Sequence, residues 1–386
     1  MAEYSGTPGH GLFQDLSAID LGAVAAKAAL ERAKIGGRVV DHVIFGNALQ
    51  TSTDAIYGAR HVGLKAGVPN EVPALTVNRL CGSGIEAIAQ AARFIKLGEA
   101  EVCLAGGMEN MSQAPHVVRG ARTGFKFGRK VELEDLLFAA LKDTRCNLFM
   151  AETADNLAKK YGISREAQDD FAYRSMRRSL DATEAGIFRE EIIAVDVKKG
   201  RETVRVTRDD HMKPESTREV LGKLPSAFGP ESTVTAGNAS GIVDGAAAVI
   251  VASREKAERE GMPILARILG WHTVGVAPEY MGIGPAPAIA ELLKKLGQPL
   301  DRVDLIEVNE AFAAQYLAVE KELRLDRERV NVNGGAIGLG HPLGASGARI
   351  TLTLALEMKR RKAKLGLAAA CIGGGQGIAI ALGSPQ

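Results

Sequence analysis

Ala74-Leu-Thr-Val-Asn-Arg-Leu-Cys-Gly-Ser-Gly-Ile-Glu-Ala-Ile-Ala-Gln-Ala-Ala-Arg-Phe-Ile-Lys-Leu97 decides the reading of this chain. Residues 74–78 predict a strand, and residues 81–97 predict a helix built of small residues, with Cys81 at the junction. The same alternation extends outwards. Residues 20–33 carry Leu21, Val24, Ala25, Ala28 and Leu30 at helical spacing, residues 40–49 read as a buried strand, and residues 101–105 read as another strand, ended by Gly106 and Gly107. Strands alternating with helices predict an α/β protein. Residues 112–240 differ, being more charged, with longer polar connections and one clear helix over 164–184 opened by Ser164 as its cap. They read as an insertion. Apolar, strand-like sequence returns at 241–251, and the last third alternates again: strands at 305–308 and 367–371, a helix from 344 to about 361, and a final strand at 378–382. A cysteine followed by glycines after a strand occurs twice, at Cys81 and at Cys371, a faint echo of internal duplication.

Bulk properties narrow the function. A chain of 386 residues is long enough for more than one domain and for cores that need no disulfide or metal staple. The net charge of +2 lacks the basic excess of a nucleic-acid binder, and the run Lys359 to Lys364 reads as the basic end of a helix. The four cysteines, Cys81, Cys103, Cys146 and Cys371, form no C-x-x-C pair and no zinc spacing, which favours free thiols in a reducing compartment. The start, MAEYSGTPGHG, lacks the pattern of a secretory signal, and no apolar stretch approaches the roughly 20 residues of a membrane span. A cytoplasmic protein is expected, with the mitochondrial matrix as the other location compatible with the sequence.

Four segments carry chemistry. They are Asn78-Arg-Leu-Cys-Gly-Ser-Gly84, Asn309-Glu-Ala-Phe-Ala313, Asn331-Val-Asn-Gly-Gly-Ala-Ile-Gly-Leu-Gly-His-Pro-Leu-Gly-Ala-Ser-Gly347 and Cys371-Ile-Gly-Gly-Gly-Gln-Gly377. Cys81 opens a helix, whose N-terminal dipole favours thiolate over thiol; the alternative is an inert core cysteine. His341 lies in a glycine-rich run before Pro342 and can take a proton from a thiol, or merely satisfy loop backbone groups. That run holds neither G-x-G-x-x-G nor a P-loop, so nucleotide binding by the glycines is unsupported. Cys371 precedes three glycines whose N–H groups can bind an oxyanion; it too reads equally as a strand-end core residue. Asn309 can hold a water or a carbonyl, or cap a helix.

Together these segments resemble the thiolase family. Further similarity runs through Gly106-Gly-Met-Glu-Asn-Met-Ser112, Thr235-Ala-Gly-Asn-Ala-Ser-Gly241 and Met281-Gly-Ile-Gly-Pro285, so that it spans about residues 20–382. The resemblance implies a thiolase fold of two similar α/β halves in five α/β/α/β/α-type layers, with residues 1–111 and 242–262 as the N-terminal domain, 112–241 as an inserted loop domain that binds coenzyme A, and 263–386 as the C-terminal domain. It implies acyl transfer between acyl-CoA and acetyl-CoA, by thiolysis of 3-ketoacyl-CoA or the reverse Claisen condensation, through an acyl-cysteine. Cys81 would be the nucleophile and His341 its base and an oxyanion donor. Asn309 would position a water, Cys371 would add or remove the α-proton of acetyl-CoA, and the N–H groups of Cys81 and Gly373 would form the second oxyanion hole. Lys213 and Ser240 match positions beside the nucleotide and the pantetheine arm. No tightly bound cofactor or metal is required, coenzyme A being a substrate, and the family assembles as homodimers or homotetramers.

Two features depart from the family pattern. Phe149 stands where acetyl-specific relatives carry a histidine; with Asp54-Ala-Ile-Tyr57 and His61-Val-Gly-Leu64 it points to the 3-ketoacyl-CoA thiolases of fatty-acid degradation, acetoacetyl-CoA still fitting. Family members open with an apolar strand leading to an Arg-Thr-Pro turn, whereas here Met1 to Gly6 precede Thr7-Pro8-Gly9. Either residues 2–5 make a shortened strand or neighbouring strands keep unpaired backbone groups. The rival readings are a ketoacyl synthase, which typically carries histidine at the position of Cys371, and an acyl-CoA-binding relative that has lost catalysis.

Overall fold

The structure, a computed structural model, describes the backbone of Ala2 and Glu3 and residues 11–385. The first sheet contains β1 (Ala2–Glu3), β2 (His42–Gly46), β3 (Ala74–Val77), β4 (Val102–Glu109) and β5 (Val243–Ala252), in the order β1-β5-β4-β2-β3. The second contains β6 (Arg267–Gly275), β7 (Leu305–Val308), β8 (Leu365–Ile372) and β9 (Gln376–Gly383), in the order β6-β9-β8-β7. In each sheet a parallel pair (β2 with β4, β7 with β8) is followed by an antiparallel neighbour (β5, β9) and then by an antiparallel edge (β1, β6). A single parallel bridge from Ile306 to Val330 stands where β3 runs in the first sheet. The duplication hinted at by the two cysteine segments is therefore present in the strand order.

Eight helices complete the frame: α1 (Ala18–Ala33), α2 (Gly58–Lys65), α3 (Ser83–Lys96), α4 (Met150–Tyr161), α5 (Arg165–Glu184), α6 (Pro285–Leu296), α7 (Ala313–Leu323) and α8 (Leu343–Arg361). Their apolar faces set the layers. Ala26 and Leu30 of α1 and Val62 of α2 pack on Val43, Phe45 and Leu104, covering the outer face of the first sheet. Ile88 of α3 and Leu354 of α8 share one core with Ile44 and Ala105 of the first sheet and Ala368 and Ile380 of the second, so these two helices lie between the sheets. Ile289 of α6 and Tyr316 of α7 cover the outer face of the second sheet through Val308, Leu367 and Ala379. The order helix, sheet, helix, sheet, helix is the expected five-layered α/β architecture. Strands β4 and β8 are buried along their whole length, which is why their sequences are apolar without alternation.

The sequence reading placed several ends well and one badly. Helix α1 starts at Ala18, two residues before the expected start, because Ser17 and Asp20 form a capping box. Helix α5 begins after Ser164, whose Oγ accepts from Ala167 N at 3.1 Å. Strand β4, expected to stop at Gly106 and Gly107, continues to Glu109. Those glycines are not a terminus but a contact surface: a methyl on Gly107 would fall 1.9 Å from the carbonyl oxygen of Gly344 in α8. Between β4 and β5 the chain leaves the sheet and makes α4, α5 and a hairpin of Val195–Lys199 with Glu202–Val206 before it returns. Phe171 of α5 stacks on Tyr316 with ring centroids 4.1 Å apart, a contact worth about 1 kcal/mol beyond its buried area.

At the N-terminal end, Ala2 pairs with Asp244 and Glu3 with Val243. Tyr4, Ser5 and the Thr7-Pro8-Gly9 turn lie outside the described residues. Beyond that pairing, residues 245–252 of β5 have no strand on their outer side among the described residues. A cavity of about 890 Å³ runs beside them, lined by Val24, Ala25 and Ala28 of α1, Ile88 of α3 and Leu352 and Leu356 of α8. The half-burial of the three α1 residues, which were expected to face a closed core, follows from this opening. None of the residues assigned chemistry lines it.

Helices α3 and α8 cross backbone to backbone. A methyl on Gly84 would sit 2.2 Å from Ala348 N, and one on Gly347 would sit 2.4 Å from Ile85 N. Gly84→Ala is expected to cost about 3 kcal/mol through overpacking, read as a lowered thermal midpoint or loss of soluble protein. Gly36→Ala is the control, since a methyl there meets nothing within 4 Å, and it should leave the midpoint unchanged.

Candidate active site

The helix crossing brings together the N-terminal ends of α3 and α8, and the reactive side chains stand just before each. Cys81 lies in the turn Leu80–Gly82 between β3 and α3. Leu80 holds φ at +46°, in the left-handed region that a branched side chain resists. Its N–H is accepted by Asn78 Oδ1 at 2.9 Å, and its carbonyl accepts from Ser83 Oγ at 2.7 Å, which over-determines the turn. The backbone N–H groups of Gly373 and of Cys81 itself lie near enough to the Cys81 sulfur to favour its ionised form, though less than burial opposes it.

Cys371 ends β8 and is wholly buried. The Cys81 sulfur is close enough for its charge to push the Cys371 thiol up, after burial, which does so more strongly. The glycine turn that follows uses φ of +82° at Gly374 and +84° at Gly375, and a methyl on Gly375 would fall 2.4 Å from Val276 O. Leu80 and Met150 close over Gly373, and Met150 also packs with Cys371, Met281, Ala311 and Phe312.

His341 is buried in the loop before α8. Its N–H reaches Gly241 O at 3.0 Å, its Nε2 lies 3.3 Å from Asn309 Nδ2, and its Nδ1 lies 2.6 Å from Ser346 Oγ. The Ser346 hydroxyl donates to Pro342 O at 3.0 Å, so it accepts from Nδ1–H and leaves Nε2 unprotonated, as the acceptor of the Asn309 Nδ2–H. Asn309 follows β7, is anchored by its N–H to Ala369 O at 2.9 Å, and keeps a buried Oδ1 without a protein donor.

Electrostatics correct one expectation. The helix N-terminus was expected to favour a Cys81 thiolate, but burial, with a contribution from the Glu109 charge, pushes the thiol up to about 11. Desolvation of a charge outweighs half a dipole charge here. Burial, then the Arg349 charge, pushes His341 down to about 3. Thiol and imidazole are both neutral near pH 7.

Ser240 backs this cluster: its N–H bonds to Ala311 O at 3.0 Å, and its neighbour Gly241 holds His341. Lys213 is exposed and is not part of the buried cluster; its segment is held by Met212 against Leu339 and by its own N–H 3.3 Å from Met176 Sδ. Phe149 directly precedes Met150 of α4, its ring 4.6 Å from Phe138 and 5.6 Å from Phe228. Three positioning groups escaped the sequence reading. Ser346 lies inside the quoted glycine-rich run. Glu310 accepts from Ser175 Oγ at 2.6 Å, Asn331 Nδ2 at 2.8 Å and Ile337 N at 3.2 Å, fixing the loop that leads to His341. Glu109 lies inside the quoted Gly106–Ser112 segment, where its acid was given no role.

The comparisons with known proteins cover nearly the whole chain. Residues 5–255 match the family model described as thiolase, N-terminal domain, and residues 262–384 match thiolase, C-terminal domain. The human protein named 3-ketoacyl-CoA thiolase, mitochondrial, is 53% identical over 376 residues, covering 97% of this chain and 94% of its own. An acetyl-CoA acetyltransferase of Escherichia coli (strain K12) is 48% identical over 374 residues, covering 97% and 95%. The crystal structure of human mitochondrial 3-ketoacyl-CoA thiolase superposes with a TM-score of 0.96 at 52% identity, over 98% of this chain and 95% of that one, and its complex with CoA gives 0.95 at 52% identity over 97% and 94%. With the Cys81 and Cys371 thiols close enough to affect each other's ionisation, and both family models matched in order over nearly the whole chain, the chain belongs to the thiolase family.

Proposed function

We propose that this chain catalyses thiolysis of 3-ketoacyl-CoA, and the reverse condensation of acetyl-CoA, with Cys81 carrying the acyl group. It is an acyltransferase with coenzyme A as a substrate. What supports the assignment of roles is that the Cys81 sulfur is near enough to the Gly373 N–H to be stabilised by it and near enough to Cys371 to raise that thiol.

In thiolysis the Cys81 sulfur attacks the C3 ketone while His341 Nε2 takes its proton, since neither group is ionised beforehand. The C2–C3 bond then breaks, its electron pair passing to the acetyl-CoA enolate. Cys371 gives its proton to C2, and the proton held on His341 restores that thiol. The thiol of coenzyme A then attacks the Cys81 thioester, its proton passing through His341 back to the departing Cys81 sulfur. The N–H groups of Cys81 and Gly373 suit one oxyanion, and His341 with a water held by the buried Asn309 Oδ1 suits the other. Coenzyme A lies against residues 112–241, inserted between β4 and β5, with Ser240 beside the pantetheine arm and Lys213 beside the nucleotide; the contact of Ser240 with Ala311 and the exposure of Lys213 support this. The remaining halves, 1–111 with 242–262 and 263–386, supply Cys81 and the His341–Cys371 pair respectively. The apolar wall of Phe149, Phe138 and Phe228 supports acyl chains longer than acetoacetyl.

The chain also reads as a homodimer or homotetramer of the cytoplasm or mitochondrial matrix. Leu75 on the edge strand β3 is exposed beside Ile56 and Tyr57, an apolar border suited to a second copy. No helix among the described residues is long and apolar enough to cross a membrane. Light scattering is expected to give a multiple of the chain mass, and a monomer would refute self-association.

Incubation with acetyl-CoA should acetylate Cys81, detectable by mass spectrometry, and Cys81→Ser should abolish that thioester. Cys371→Ala should keep the label while condensation falls by about 10³-fold. The wild type should cleave 3-ketoacyl-CoA substrates beyond acetoacetyl-CoA. Retained condensation in Cys371→Ala would refute the acid/base role. Alkylation of resting Cys81 by iodoacetamide should keep rising with pH beyond 9, as a thiol pushed up to about 11 requires. A plateau already reached at neutral pH would show a preformed thiolate–imidazolium pair and overturn the neutral-pair mechanism.

A further inference from the structure

Glu109, the last residue of β4, is fully buried within the apolar layer between β4 and α8. Four N–H groups converge on it. Oε1 accepts from Asn47 Nδ2 and Leu49 N, each at 2.9 Å, and Oε2 accepts from Ala48 N at 3.0 Å and Gly344 N at 2.8 Å. Three donors belong to the segment after β2, and the fourth is in the first turn of α8. Leu49, Ala48, Leu343 and Cys81 form one apolar cluster, so that segment is also a wall of the nucleophile's pocket. Gly344 lies between His341 and Ser346, the residue that holds the imidazole Nδ1.

Resting on the thiolase reading above, we propose that Glu109 is a positioning residue for the reaction: its carboxylate ties the histidine-bearing helix to the wall of the Cys81 pocket and places one negative charge beside the nucleophile. An anion suits this place, where it meets the N-terminal dipole of α8 and saturates four donors. A neutral amide cannot replace it, because its NH₂ group would face N–H donors. The titratable groups facing Glu109 are Cys81 at the start of α3 and Asp244 on β5. Burial holds the Glu109 carboxyl up at about 7, opposed by its backbone N–H partners. The charge present above that pH keeps Cys81 as a thiol until His341 takes its proton.

Glu109→Gln tests this. It is expected to lower kcat by roughly 10–100-fold through displacement of His341, with KM for acyl-CoA unchanged within about threefold. It should also speed iodoacetamide alkylation of Cys81 at pH 8 by about threefold to tenfold, because the opposing charge is gone. A folded variant with wild-type kcat, or with lowered kcat and an unmoved alkylation rate, overturns the proposal. If Glu109→Gln does not fold, Asn47→Ala removes one donor and leaves the carboxylate; a smaller fall in kcat with an unchanged alkylation rate supports the proposal, and an unchanged kcat overturns it. Acetylation of Cys81 in the wild type is measured alongside, since its absence would defeat the underlying reading instead.

Discussion

The contact on which the rest depends is the crossing of α3 and α8 at Gly84 and Gly347, where one backbone lies directly on the other. Any side chain at either position would hold the helices apart by the width of a methyl group. At contact distance, two residues far apart in sequence, Cys81 and His341, stand at adjacent helix entrances. The same approach lets each helix fill the layer between the sheets, so the requirement of the core and that of the site are met by one pair of glycines. Gly107 against Gly344 repeats the device one strand away.

The chemistry is that of neutral partners held in a dry pocket. A helix end by itself would favour a thiolate, but the pocket that excludes water disfavours any lone charge more strongly. Both thiols are therefore raised and the imidazole is lowered. On the proposed mechanism, charge develops only when substrate brings a carbonyl to the N–H groups of Cys81 and Gly373, so stabilisation falls on the transition state rather than on the resting enzyme.

Much of this was legible in the sequence, for identifiable reasons. Strand β7 was placed to the residue, and α5 was read correctly because Ser164 caps it by a local rule. The alternation that defines α/β survives in short apolar runs. What failed was non-local. The end of β4 was misread because glycines there answer to α8 and not to a turn. Leu80 gave no hint of its left-handed backbone, which only the assembled turn imposes. Among site residues, Cys81, His341, Asn309, Cys371 and Gly373 were named through their motifs. Glu109, Ser346 and Glu310 were not named for any role, since a buried acid or hydroxyl acquires its meaning from partners that the sequence does not list in order.

The two halves share one architecture but not one degree of closure. Strand β6 runs beside β9 for most of its length, whereas among the described residues β1 meets β5 at two. Among those residues, the outer side of β5 past Asp244 has no ladder to match the one that shields β9. Hydrogen exchange would register this as a soft seam in the half that bears Cys81, beside a stiff twin. Repetition of a fold within one chain does not distribute rigidity evenly, and heat would find that border first.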